Sequence, residues 1–172
     1  MQYIAVENLP CADLRAGDMI ALSGTIYTAR DAAHVRLIAM SAQNETLPFE
    51  LKGSVVYYAG PTPTPPGKII GSCGPTTAER MDAFTPQLLR EGLVATIGKG
   101  SRSQAVVDAM KETGSFYLCA VGGAGALMAQ CVTACEVIAF EDLGCEAIRR
   151  LTVKDMPLIV GVDKFGKSVF NE

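Results

Sequence analysis

Hydrophobic and polar positions divide the chain into two regimes. In the first, Asp18–Tyr27 has strand-like content between turn residues, and Leu14–Asp18 reads as the turn into it. Thr28 is placed to cap a helix running to Ile38, with Ala32, Ala33 and Leu37 among its apolar positions. A short apolar strand is expected at Ser54–Tyr58. The regime closes at Gly60–Gly67, where four of eight residues are proline. Prolines favour extended backbone and exclude a regular helix. This stretch reads as a rigid crossover inside one domain rather than a linker, because neither side has a comfortable core of its own.

The second regime alternates strand and helix. Strands are expected at Lys68–Cys73, Val94–Ile97, Ser115–Val121 and Glu136–Glu141. Helices are expected at Met81–Glu91, with Leu88 and Leu89 inward, and at Ser103–Thr113, ended by Gly114. A short helix through Leu127 and Met128 follows Gly122-Gly123-Ala124-Gly125. Met156–Asp163 and Lys167–Phe170 read as a closing hairpin around Lys164-Phe165-Gly166. Alternation of this kind implies α/β architecture, a parallel-type sheet with crossover helices. The N-terminal β-rich layer is expected to pack beside or across it. Residues 1–172 are read as a single domain.

Composition changes the picture mainly by exclusion. Hydrophobic residues make up 49% and charged residues 19%, as in an ordinary soluble protein. A mean hydropathy of +0.24 fits either a surface covered by a partner or a compact domain rich in alanine and glycine. A net charge of −3 and the absence of a basic stripe argue against nucleic acid, and the lack of tryptophan argues against a base-stacking platform. No stretch reaches the roughly 18 apolar residues of a membrane helix. The N-terminus has no basic segment followed by an apolar one, so a cytoplasmic location is expected. The six cysteines are read as free thiols in a reducing compartment. Cys131 and Cys135 stand at helical-turn spacing, but core thiols are the stronger reading than metal ligands, and no clustered set suits an iron–sulfur centre held by this chain alone.

The candidate chemistry gathers at glycine-flanked junctions. At Gly71–Asp82 a strand is expected to end in a Gly74-Pro75 turn and to open a helix. Free N–H groups and the helix dipole there suit an anion, Thr76 and Thr77 add donors, and Arg80 adds a fork that matches a carboxylate. A plain helix cap is the competing reading. Yet a cation on the first turn opposes the dipole, so something negative is expected beside Arg80. Ile97-Gly98-Lys99-Gly100-Ser101-Arg102 places Lys99 at a second junction; it is either a solvated turn or a site on the same sheet edge as Thr76. It lacks the spacing of a phosphate-binding P-loop. Gly122–Ala126 is a third junction, where backbone can approach a ligand or a neighbouring chain. Arg30-Asp31 precedes His34, the only histidine, for which a structural role outweighs a catalytic one; Arg30 is expected to pair with Asp31 or another carboxylate.

Taken together, several segments resemble the β subunit of the iron–sulfur hydro-lyases, class I fumarase and L(+)-tartrate dehydratase. They are Ser23-Gly24, Thr28–His34, Gly74–Asp82, Ile97–Gly100, Gly122–Ala124 and Phe140-Glu141-Asp142-Leu143-Gly144. The resemblance runs from about residue 14 to about residue 170. It implies a swivelling β/β/α domain that is one half of a hydro-lyase acting on a four-carbon dicarboxylate. Fumarate and malate are the first expectation and L(+)-tartrate the alternative. It also implies a [4Fe–4S] cluster on a partner α subunit, not on this chain, and a hetero-oligomer, or a homodimer when isolated. Carried over residue by residue, Arg30 and Arg80 bind substrate carboxylates, Lys99 does so from the opposite side, Thr76 is the catalytic base and Thr77 a neighbouring substrate contact. Glu79 departs from the small or neutral residue usual at its position and is expected to face solvent. A stand-alone dicarboxylate-binding or regulatory domain is the reading from another functional class.

Overall fold

A computed structural model describes residues 1–120 and 123–170. The strands are β1 (Gln2–Ala5), β2 (Met19–Thr28), β3 (Val55–Tyr57), β4 (Ala95–Gly98), β5 (Phe116–Cys119), β6 (Val132–Ala139) and β7 (Ile148–Val162). The helices are α1 (Asp31–Ala42), α2 (Thr85–Arg90), α3 (Gln104–Thr113) and α4 (Gly125–Gln130). No helix among the described residues is long and apolar enough to cross a membrane.

All seven strands belong to one mixed sheet in the order β1-β2-β3-β4-β5-β7-β6, and β7 pairs back onto β2. Strands β2 to β5 are parallel neighbours, and β7 closes the ring by running antiparallel to both β5 and β2. Side-chain alternation explains the closure. Ile20, Leu22, Ile26, Val55, Tyr57, Ala95, Ile97, Phe116 and Leu118 turn into one apolar core, with Leu151, Val153 and Leu158 of β7. Their neighbours Val56, Tyr58 and Tyr117 face the opposite way, into a second core with Ala33 and Leu37 of α1, Leu88 and Leu89 of α2, and Val106 and Met110 of α3. The ring interior and the helix layer are thus both filled from one set of short apolar strands.

Most predicted elements appear near their expected places. Helix α3 follows its signals closely: Ser103 Oγ accepts the Val106 N–H at 3.4 Å, and Gly114 ends the helix at φ 72°. Other elements differ for tertiary reasons. Lys68–Cys73 is an extended loop and not a strand, because β3 pairs directly with β4 and leaves it no ladder. Its bonds go elsewhere: Ser72 O accepts from Thr62 N at 2.9 Å, and Cys73 N donates to Gly125 O at 3.1 Å. The expected helix at Met81–Glu91 is a single 3-10 turn, Ala78–Met81, followed by α2 from Thr85. Thr28 ends β2 instead of capping α1; its Oγ1 accepts the Arg149 N–H at 3.1 Å, and Arg30 occupies the cap position.

The N-terminal strands form no separate layer, since β1 and β2 pair within the same sheet as β4 and β5. The closing hairpin shrinks to one bridge, Val162↔Ser168, because β7 is 15 residues long and spends its edges on β2, β5 and β6. Strand β6 begins at Val132 and ends at Ala139, earlier than expected, since it follows the register of β7. Cys131 caps α4 and Cys135 lies in β6, so the two do not share a helix face. The cysteines among the described residues are free thiols. Val121, expected in β5, and Gly122, expected at the third junction, lie outside the described residues.

Candidate functional site

The ends of parallel strands deliver the candidate residues. The carboxyl end of β2 leads to Arg30, that of β3 to Gly60 and the proline strap, and that of β4 to Lys99. Thr76 and Thr77 come from the crossover between β3 and β4, and three backbone hydrogen bonds hold that crossover in place. Thr76 N donates to Tyr58 O at 2.6 Å, Lys99 N to Thr76 O at 3.2 Å, and Ala78 N to Lys99 O at 2.9 Å. Thr77 and Lys99 form a parallel bridge. The crossover therefore adds a stub of strand to the end of β4, and the two junctions seen in sequence become one surface.

Glycine makes this approach possible. A Cβ on Gly98 would stand 2.9 Å from Tyr58 Cδ2 and 3.1 Å from Ala78 Cβ. Gly125 of the third junction lies against the same loop, where a Cβ on Gly74 would meet its Cα at 3.5 Å. The third junction thus brings backbone against the wall that carries Thr76.

The helix-dipole contribution expected from the sequence is absent. A 3-10 turn of four residues sums few peptide dipoles, and Arg80 sits in its last turn, where a cation is favourable. Arg80 nevertheless has the expected negative neighbour. Its Nε donates to Asp31 Oδ1 at 3.2 Å, and its Nη2 lies 3.0 Å from Asp31 Oδ2. This pair joins the crossover to the start of α1.

Arg30 then takes a different partner. The nearest carboxylate to its Nε is that of Glu146, at 4.0 Å, and the Nε is buried without a hydrogen bond. A buried guanidinium edge left unpaired is costly unless a ligand or ordered water completes it. Gly60 lets Arg30 lie close over the end of β3, since a Cβ there would stand 3.1 Å from both Arg30 Cδ and Nη1. Glu146 arrives on the 3-10 stretch Glu141–Glu146, which begins inside the Phe140–Gly144 pattern and is tied to α1 by the Arg36–Asp142 pair at 2.8 and 2.5 Å.

The five candidate residues thus lie along one connected surface. Arg30 adjoins Asp31, Asp31 holds Arg80, Arg80 follows Thr77, and Thr77 bridges Lys99. Thr77, Arg80 and Lys99 are exposed, and Thr76 and Arg30 are half-buried. Lys99 forms no ion pair among the described residues. With Asp31 and Glu146 as the adjoining acids, the three cations leave a positive excess that suits an anion. Glu79 is exposed, as expected. An open cavity of about 450 Å³ is lined by Lys68–Ser72, Ala126 and Val132 among others; none of the five residues lines it.

His34 is structural. It is buried, its Nδ1–H donates to Arg30 O at 2.7 Å, and its ring packs on Tyr58 and Phe84. Burial pushes its pKa down to about 4; the bond to the Arg30 carbonyl opposes the shift, Arg102 adds to it, and Asp31 opposes it. A base with a folded-state pKa below its ordinary 6.5 is protonated more readily by the unfolded chain. Its contribution to stability is therefore complete above pH 6.5 and is lost as pH falls toward 4. That loss amounts to at most about 3 kcal/mol. Urea unfolding across that pH window should show the decline, and His34→Gln should flatten it; an equal slope in the variant would contradict the assignment.

Sequence reasoning missed the partners of the acids and the buried support. Asp31 and Asp82 lie within the motif segments, but nothing in the local pattern pairs them with Arg80 and Arg102, and Glu146 carries no signal. Asp82 pairs with Arg102 at 2.7 Å, beneath the site. Among the described residues no group of three or more histidines, cysteines or carboxylates is arranged to hold a metal ion.

Comparison with known proteins places the chain in a family. The model of the family described as fumarase C-terminus matches residues 5–172, and the chain belongs to that family. It is 42% identical over 155 residues to the aerobic class I fumarate hydratase of Escherichia coli K12, covering 89% of this chain and 28% of that protein. It is 40% identical over 158 residues to fumarate hydratase 2 of Leishmania major, covering 91% of this chain and again 28% of the relative. The chain thus spans little more than a quarter of these fumarate hydratases. A protein of Methanocaldococcus jannaschii named as an L(+)-tartrate dehydratase subunit beta is 38% identical over 165 residues, covering 92% of this chain and 85% of its own length.

Proposed function

We propose that this member of the fumarase C-terminus family is the β-type half of a hydro-lyase that adds or removes water at a four-carbon dicarboxylate, fumarate and malate first. The observation that carries the reading is the gathering of Arg30, Thr76, Thr77, Arg80 and Lys99 on one strand-end surface, with the Arg30 Nε buried and unpaired. Residues 1–172 act in it as one swivelling β/β/α domain in the cytoplasm. It works in a hetero-oligomer with an α chain. The match to a tartrate dehydratase β subunit across most of that protein's length favours L(+)-tartrate as the second reading.

In this reading Arg30 and Arg80 each bind a carboxylate of the substrate, and Lys99 approaches from the β4 side. Arg80 keeps one edge of its fork on Asp31, which leaves Nη1 for the ligand. Thr76 Oγ1 takes the proton from the carbon next to a carboxylate as the hydroxyl leaves the adjacent carbon. Proton loss there builds negative charge on the carboxylate oxygens, and the arginines and Lys99 stabilise that charge. A threonine hydroxyl is a weak base partner near neutral pH, so its alkoxide depends on the same cations. In this reading a [4Fe–4S] centre on the α chain would supply Lewis-acid assistance to the departing hydroxyl.

The test is reconstitution. Co-expression with a cluster-loaded α-type chain should give fumarate hydration or tartrate dehydration, and neither chain alone should. A loaded pair that turns over no small dicarboxylate would defeat the proposal. In that pair Arg80→Lys should raise KM about 10- to 100-fold, the loss of a forked, charge-assisted contact. An unchanged KM would remove Arg80 from the site.

A further inference from the structure

Directly beneath the surface lies a buried polar cluster built on one arginine. The Arg102 side chain is 0% exposed. Its Nε donates to Asp82 Oδ1 at 2.7 Å, its Nη1 to Thr96 Oγ1 at 3.0 Å and Tyr58 OH at 3.2 Å, and its Nη2 to Thr85 Oγ1 at 2.7 Å. Its guanidinium lies 5.2 Å from the centre of the Tyr58 ring and 5.0 Å from that of Tyr117. Asp82 Oδ2 accepts the Ser103 N–H at 2.8 Å.

We propose that Arg102 is the positioning residue that fixes the Thr76–Arg80 segment against the Lys99 turn. Three of its four hydrogen-bond partners connect to segments that carry candidate site residues, and the fourth, Thr85, opens α2 and donates its hydroxyl to Met81 O at 2.8 Å. Tyr58 accepts the Thr76 N–H through its carbonyl. Asp82 follows Arg80 by two residues, and Thr96 precedes Lys99 in β4. Tyr117, beside the guanidinium, donates its hydroxyl to Gly100 O at 2.8 Å. Backbone from β3, the crossover, β4 and β5 therefore converges on a single side chain.

Energetics and geometry point to specification rather than bulk stability. Burying an ion pair has a desolvation cost that its attraction only offsets, and apolar packing would serve stability as well. The planar fork is what the cluster uses, since four acceptors lie in different directions around one group. An ammonium on a flexible stem cannot reach all of them at once. The functional consequence rests on the dicarboxylate reading above; the positioning itself does not.

Hydrogen exchange on the full 172-residue chain tests it, since that requires neither substrate nor partner. In Arg102→Lys, protection of the Thr76, Ala78 and Lys99 amides should fall at least about tenfold while β2 and β5 amides keep theirs. Unchanged protection at those three amides, or a uniform loss across the sheet, would overturn the proposal. Should Arg102→Lys fail to fold, Asp82→Asn, which keeps the arginine, gives the same readout with the same two outcomes. In the reconstituted pair the variant should also lose kcat about tenfold or more at a melting temperature close to wild type. Full kcat alongside the exchange loss would overturn the link to catalysis. A wild-type pair without turnover would defeat the dicarboxylate reading and leave the exchange result standing.

Discussion

Thr76→Val in the reconstituted pair is expected to lower kcat by about 10²- to 10⁴-fold with KM little changed, the range for loss of a proton-transferring group. Valine and threonine share the same branching at Cβ, so the half-buried position keeps its shape and loses only a polar group. The backbone bonds of residue 76 to Tyr58 and Lys99 involve no side-chain atom and survive the change. Only the hydroxyl is lost, and that is the group the mechanism requires. Thr76→Ser should retain much of the rate. Steady-state kinetics of the three proteins decide it. A valine variant keeping more than about a tenth of wild-type turnover would assign the proton transfer to another residue.

Gly98→Ala is expected to be nearly as damaging to turnover, for a steric reason. The added Cβ would stand 2.9 Å from Tyr58 Cδ2, 3.1 Å from Ala78 Cβ and 3.3 Å from Thr76 O. Tyr58 is fully buried, and the Thr76 oxygen is backbone, so neither yields easily. The crossover must move off β4, and the Thr77–Lys99 bridge opens. A stability loss of about 1–3 kcal/mol is expected from overpacking. Turnover should fall about 10²-fold, since displacement by about 1 Å is enough for that. Denaturant midpoints and kinetics measured on the same preparation separate the two effects. Wild-type kinetics in a folded variant would show that the bridge does not set the site.

The local structure of the Gly71–Asp82 segment differs from the one its pattern suggests. Sequence suggested a strand, a turn and a helix with a positive dipole. The structure has a loop, a bridge and one 3-10 turn. The positive charge comes instead from side chains: Arg80 on Asp31, Arg30 facing Glu146 at 4.0 Å without a hydrogen bond at its Nε, and Lys99. Pattern rules erred there because the segment borrows its hydrogen bonds from β4, Tyr58 and Gly125, which are distant in sequence.

By itself the sequence determined the apolar strands β3 to β5, helix α3 with both its caps, the break at the proline strap, and the family resemblance. Those properties are local: periodicity, capping and turn chemistry act over a few residues. Only the tertiary structure decided that β7 closes the sheet into a ring, that Arg80 pairs with Asp31 while Arg30 faces Glu146, and that Arg102 lies beneath both loops. Those outcomes depend on which distant segments compete for the same strand edge and the same buried charge. That competition is settled by burial and hydrogen-bond satisfaction across the whole fold.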